Sequence, residues 1–303
     1  MWSRRLASST NTQRPTGCKS KGRQPSATTA LVDPCAWEGA RSVRHRTQAS
    51  TLLNVPKCWA ARLGDCSDKQ SREHLISKSL FVGDTVRVQG FPWCRKSAKE
   101  IGISGLTAKI LCKHHNNALS SIDDAGQEFF ATLREMRRLA NVRAKLKPGP
   151  WKVVKYLVDG PPVERWFLKT LINICCDREY PIGSSSTVPG QPSDELVRIA
   201  FGRQSFTDLA GLHFVVRTGM QANSTDSVSF SPILKPRMHI EGGVFGFRGL
   251  RLLLFLEAAG PPAPLTGLFF EGEDLGDCQL NFHNEQINEN SGKYRSQVLR
   301  MKW

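Results

Sequence analysis

The chain has 303 residues, enough for about two domains, and 40% of them are hydrophobic, an ordinary proportion for packed cores. Lys and Arg number 42 against 27 Asp and Glu, a formal charge of +15 that favours a polyanionic partner. No run reaches the 18 or so apolar residues of a membrane span, and Leu250 to Gly260 is interrupted by Arg251 and Glu257, so a soluble, non-membrane protein is expected.

Residues 1–53 hold nine basic and two acidic residues, are rich in Ser, Thr and Gln, and show no sustained period; they read as a disordered basic arm. About half of the net charge therefore sits on that arm. The nine cysteines do not make a dense disulfide scaffold, and no apolar signal core opens the chain, so a reducing, cytoplasmic setting is expected. There Cys58, Cys66 and Cys112 read as thiolate ligands, whereas Cys175, Cys176 and Cys278 read as small buried residues; Cys18, Cys35 and His45 have nothing to order them.

The first folded segment, 54–147, opens on Cys58 to Cys66 and Glu73-His74-Leu75-Ile76-Ser77 and continues through a strand at Thr85 to Val88 and another at Leu106 to Leu111. It reaches Cys112-Lys113-His114-His115-Asn116-Asn117, and then a helix to about Lys145 with Phe129, Leu133, Met136 and Ala140 on its apolar face. Ser121 and Asp124 have capping-box spacing, with Asp123 a second capping candidate, and Lys147-Pro148-Gly149-Pro150 ends the helix. Its arginines, 134, 137, 138 and 143, read first as a solvated face and second as phosphate contacts.

Residues 148–192 supply a core helix that starts at Pro161-Pro162, with Val163, Trp166, Phe167, Thr170, Leu171 and Ile174 in a broad stripe, then a Gly/Ser/Pro-rich linker. From 193 to 285 the pattern is strand-like, at Leu196 to Phe201, His213 to Arg217, Ser227 to Phe230, Met238 to Ile240, Val244 to Phe247 and Leu250 to Leu256. A mainly antiparallel sheet packed on the core helix is expected. Gly242-Gly243 reads as a turn or a tight strand contact, and 286–303 as a polar tail.

The two Cys/His ends of the 58–124 stretch resemble the HNH endonuclease superfamily, in particular its zinc-stabilised members with a ββα-metal motif. The resemblance is carried by Cys58, Cys66, Glu73-His74-Leu75-Ile76-Ser77 and Cys112-Lys113-His114-His115-Asn116-Asn117-Ala118-Leu119, about a quarter of the chain. It implies an α+β protein with a small zinc-bound, HNH or treble-clef-like domain followed by the sheet-bearing region. It implies a structural Zn2+ on Cys58, Cys66, Cys112 and His115, with Cys94 an alternative to Cys58, whose spacing to Cys66 exceeds the usual two-residue knuckle. It further implies a hydrolase of phosphodiesters, with DNA favoured over RNA. In that reading His74 is the general base, and Glu73 and Asn116 hold a catalytic Mg2+ or Mn2+ through hard oxygen donors. Asn117 would brace the turn and His114 would serve phosphate or a ligand. A zinc-stabilised nucleic-acid-binding module without cleavage is the alternative, Trp59, Trp93, Trp151 and Trp166 are candidate stacking or core residues, and the C-terminal region is left open to a protein partner.

Overall fold

The computed structural model describes residues 57–303 apart from 92, 95–96, 148, 150, 177–178, 208–209, 217–226, 235–238, 248, 259–268, 271–272, 275–278, 284–285 and 292–293. The contacts divide the chain into Met1–Thr51 and Leu52–Trp303, and everything described belongs to the second unit. The basic arm with Cys18, Cys35 and His45, and likewise Cys278, lie outside the described residues.

In chain order the elements are β1 (Gln70–His74), β2 (Thr85–Gln89), β3 (Lys99–Gly102), β4 (Thr107–Cys112), α1 (Lys113–Ala118) and α2 (Ser120–Ala144). They continue with β5 (Val154–Asp159), α3 (Gly160–Cys175), α4 (Asp194–Ala200), β6 (Gly211–Val216), β7 (Ser227–Leu234), β8 (Ile240–Phe247) and β9 (Leu250–Phe255). Last come the two-residue pair β10 (Phe269–Phe270) and β11 (Glu273–Asp274), then β12 (Gln279–Phe282), β13 (Gln286–Ser291) and β14 (Tyr294–Lys302). The result is a mixed α+β unit.

Seven strands in the order β12-β6-β9-β8-β7-β2-β3 form the main sheet. Its neighbours are antiparallel except β2 and β7, which run parallel, so strands from 85–102 and from 211–282 share one sheet. β8 is continuous through Gly242-Gly243 because the strands crowd there: a Cβ on Gly242 would sit 2.3 Å from the Leu254 carbonyl oxygen, and one on Gly243 2.6 Å from the Phe230 ring. The glycine pair is a tight strand contact.

Two expectations fail here for local reasons. Leu196 to Ala200 is helical, as part of α4 with Phe201 its C-cap, because the Ser193 hydroxyl caps the Leu196 N–H and Asp194 and Glu195 occupy the first turn, where the helix N-terminus favours negative charge. In the stretch 286–303, read as a polar tail, Gln286–Ser291 and Tyr294–Lys302 form β13 and β14. β14 runs parallel to β5 and buries Val298, Leu299 and Met301, so tertiary pairing outweighs a polar composition.

The keel of the unit is α3. It touches α2, α4, β6, β9 and β14, and it is buried nearly all round, as expected of a helix enclosed on every side. Its prolines lie in the first turn, where their missing N–H groups cost nothing. Phe129, Leu133, Met136 and Ala140 of α2 are buried as their spacing predicts. Gly126 of α2 is required by the same packing, since a Cβ there would meet the Trp166 ring at 2.7 Å. Among the described residues no helix is long and apolar enough to cross a membrane.

Candidate metal centre

Four side chains separated by up to 57 positions converge on one point. Cys58 and Cys66 flank a 3-10 turn at Ala61–Leu63; Cys112 ends β4 and caps α1, and His115 lies in the first turn of α1. The 3-10 turn takes up the long first spacing: Ala61 N–H bonds the Cys58 carbonyl and Gly64 N–H bonds that of Ala61, folding the loop back on itself. Backbone bonds from Trp59 N–H to the Ile110 carbonyl, 3.1 Å, and from Lys113 N–H to the Lys69 carbonyl, 2.8 Å, then clamp the two halves together.

His115 Nδ1 lies 3.5 Å from Cys58 Sγ, 3.5 Å from Cys66 Sγ and 3.2 Å from Cys112 Sγ. All four donor atoms fall within 4.8 Å of one another. In a tetrahedral zinc site, Zn–S near 2.3 Å and Zn–N near 2.0 Å imply S···N edges of about 3.5 Å. The spacing therefore fits a four-coordinate ion, and three thiolates with one imidazole suit the borderline-soft zinc. The His115 backbone N–H also points at Cys112 Sγ, 3.4 Å, an outer contact that orients the ligand.

Electrostatics explain why such a cluster calls for a cation. Burial pushes the Cys58 thiol up, and burial together with the neighbouring Cys58 pushes Cys66 up to about 12. Burial also acts to raise Cys112, but hydrogen bonds from His115 and Ser67 outweigh it and hold that thiol below its ordinary value. The His115 imidazole is lowered by burial and then by His114 and Arg203, which keeps it neutral and able to donate its lone pair. Without an ion the crowding keeps protons on Cys58 and Cys66; a divalent cation displaces them and turns the same crowding into attraction.

The cysteine named as an alternative ligand goes elsewhere. Cys94 is buried, and its Sγ lies 3.6 Å from the Val88 carbonyl of β2. Cys175 is buried and Cys176 half-buried, and all six described cysteines are free thiols.

The residues assigned to the catalytic ion and the general base sit in a different setting. Glu73 is 5% exposed, and its Oε1 lies 2.7 Å from Lys169 Nζ and accepts from the Asn173 amide. Lys169 also holds Asp123 Oδ2 at 2.6 Å, while Asp123 Oδ1 accepts from the Ser77 hydroxyl, which in turn accepts from Trp166 Nε1–H. Asp123 thus serves tertiary structure, and α2 starts at Ser120 with no side-chain cap bond. Asn116 donates its amide to Ser71 Oγ, 2.9 Å. His74 is half-buried, and burial, then Lys78 and Lys169, lower its imidazole. Burial, with the Asp123 charge nearby, holds the Glu73 carboxyl above its ordinary value although Lys169 acts to lower it.

The expected hydrolase is corrected on these grounds. Among the described residues the one cluster able to hold a metal is Cys58, Cys66, Cys112 and His115, a set that fills all four positions of a structural ion. A hydrolytic metal needs an open position for water or phosphate, and a closed Cys3His1 set offers none. Glu73, the intended hard ligand, is neutralised by a buried lysine rather than facing solvent.

Lys169 and Asn173 are what residue reading missed. They lie on α3, about 100 positions from Glu73, and their only trace in the sequence is polarity inside an apolar stripe: Trp166, Lys169, Thr170 and Asn173 share one helical face. Asn173 also accepts from Trp59 Nε1–H, 3.1 Å, so α3 ties the residue beside Cys58 to the carboxylate network.

No family model matches the chain, and neither a curated protein nor a solved structure matches it. The class defined by the fold and the site is therefore a mixed α+β protein with a Cys3His1 metal-binding cluster consistent with structural zinc.

Proposed function

We propose that the chain is a zinc-stabilised nucleic-acid-binding module that does not cleave, built on a ββα-metal scaffold of the HNH kind. One observation carries the reading. The antiparallel strands β1 and β4, which lead into the cysteine cluster, bear exposed Arg72 and Lys109, with exposed Lys69 and Lys113 at their shared end. None of these four cations is in an ion pair among the described residues. Exposed Asp65 and Asp68 lie in the preceding loop, so the positive surface is on the paired strands.

The α2 arginines are less available. Arg134 donates to the Leu80 carbonyl, Arg138 pairs with Glu135, and the Arg143 guanidinium lies 5.5 Å from the Trp151 ring centre. The ribbon beside the metal centre is thus the better phosphate-binding surface, with DNA favoured and RNA included in the test. Thiolate ligation and free cysteines suit a reducing compartment such as the cytoplasm.

The test is anisotropy of full-length protein with duplex DNA, single-stranded DNA and duplex RNA over a salt series, beside R72A/K109A. Each phosphate contact contributes about 0.9 to the slope of log K against log salt on B-DNA, so the double variant should lower that slope by about 2. Unchanged affinity and slope would sink the ribbon as the binding surface. Metal-dependent cleavage that disappears in His74→Ala would overturn the reading as a whole.

A further inference from the structure

β5 is an edge strand. It pairs with β14 on one side, and among the described residues no strand pairs with the other. Of the eight exposed large apolar side chains among the described residues, five fall between 142 and 157: Val142, Leu146, Trp151, Val153 and Leu157. Leu157 is 65% exposed in the middle of that strand, on the face it shares with exposed Lys155 and Asp159. An apolar side chain so placed, beside an open row of backbone donors and acceptors, marks a surface that another strand can cover.

We propose that the occupant is a second copy of this chain, with β5 pairing antiparallel to β5 about a two-fold axis at Leu157. The register follows from side-chain chemistry. Strands related by a two-fold perpendicular to the sheet keep their outer faces on one side, so the axis must pass a residue of β5 rather than fall between two. An axis at Lys155 would set lysine against lysine, and one at Tyr156 would set Lys155 against Leu157. An axis at Leu157 sets Leu157 against its symmetry mate and places Lys155 opposite Asp159 twice. Directly opposite pairs on one sheet face have Cβ atoms roughly 5 Å apart, close enough for both contacts.

A lysine on an edge strand ordinarily repels other strands. Here Asp159, four positions on and on the same face, supplies its counter-charge only in the self-paired register. Asp159 is available for this: it precedes α3 but makes no side-chain capping bond, and neither it nor Lys155 is in an ion pair among the described residues. A foreign acidic strand would satisfy Lys155 yet face Asp159 and gain nothing from Leu157. The product is a continuous sheet in the order β13-β14-β5 followed by the same three strands of the second copy reversed.

Sedimentation velocity of the full-length, zinc-loaded chain across the micromolar range tests this, with circular dichroism to confirm that each variant is folded. The wild type should move from monomer to dimer with concentration. L157K should raise the dissociation constant about tenfold or more, because two leucines in contact across the axis become two facing lysines. K155D and D159K should each weaken the dimer, and the swap K155D/D159K should restore it, since the pairing is reciprocal. A monomer at every concentration, a dimer indifferent to L157K, or a double swap no better than either single variant would overturn the proposal.

Discussion

The Cys3His1 cluster and the Glu73–Lys169–Asp123 cluster solve the same problem in opposite ways. Cys58, Cys66, Cys112 and His115 bring soft donors together with no protein cation among them, so the counter-charge must come from an ion. Glu73 and Asp123 bring hard carboxylates together around Lys169, which is 2% exposed, so the counter-charge is already covalently part of the chain. Acidic residues near a metal cluster therefore do not define a second metal site. What matters is whether a buried lysine or arginine has taken the place of the ion.

The sharpest way to separate the clusters is to remove each counter-charge. Chelating the ion, or making Cys112→Ser, should collapse the 58–118 segment, because structural zinc contributes about 10–16 kcal/mol in small zinc modules at neutral pH. Zinc stoichiometry by elemental analysis, with thermal unfolding, reads that loss; a chelated protein melting like the loaded one would refute the structural role.

Lys169→Met should come next. It leaves the buried Glu73, and the partly exposed Asp123 beside it, without their cation, and stranding a buried charge in this way typically costs about 3–5 kcal/mol. Denaturant unfolding measures it, and zinc content should stay at the wild-type value because the ligands are untouched.

The two clusters should also respond to acid in opposite directions. Metal-bound thiolates and imidazole must be deprotonated, so their folded affinity for protons is depressed and zinc-held stability is lost as pH falls. Glu73 has a folded pKa raised by burial, so between its unfolded and folded values the native state binds more protons than the unfolded chain. Its contribution is therefore most favourable below the unfolded value and declines as pH rises through the folded one. The stability of wild type minus that of Glu73→Gln should fall with rising pH in that window, and a difference that rises would contradict the assignment.

The smallest effect is expected where a charged pair is exposed. Arg62 and Asp194 form an ion pair with side chains 45% and 57% exposed, so Arg62→Ala should change stability by less than about 1 kcal/mol. A larger loss would mean that this contact, and not α3, holds the metal loop to α4.

The metal ligands were legible because soft donors are rare and their chemistry is specific: three cysteines and a histidine next to strand and helix signals leave few alternatives. The arrangement of Glu73, His74 and Asn116 was not. A Glu-His dipeptide and an asparagine after a knuckle look the same whether they face a phosphate or a lysine, and the lysine enters from α3. The amphipathic run of α2 and the proline-led start of α3 were legible from local periodicity. α4, β13 and β14 were not, since a cap bond at Ser193 and a parallel partner at β5 determined them.

By itself the sequence determined the donor set, the buried faces of the two long helices and most strands of the main sheet, because each follows from residue chemistry or a period within a short window. Only tertiary structure decided that β2 joins β7, that the last residues pair with β5, and that Glu73 meets Lys169. Those outcomes depend on which distant groups share a buried space, where an unpaired charge or an open strand edge is costly and the nearest available partner determines what a side chain does.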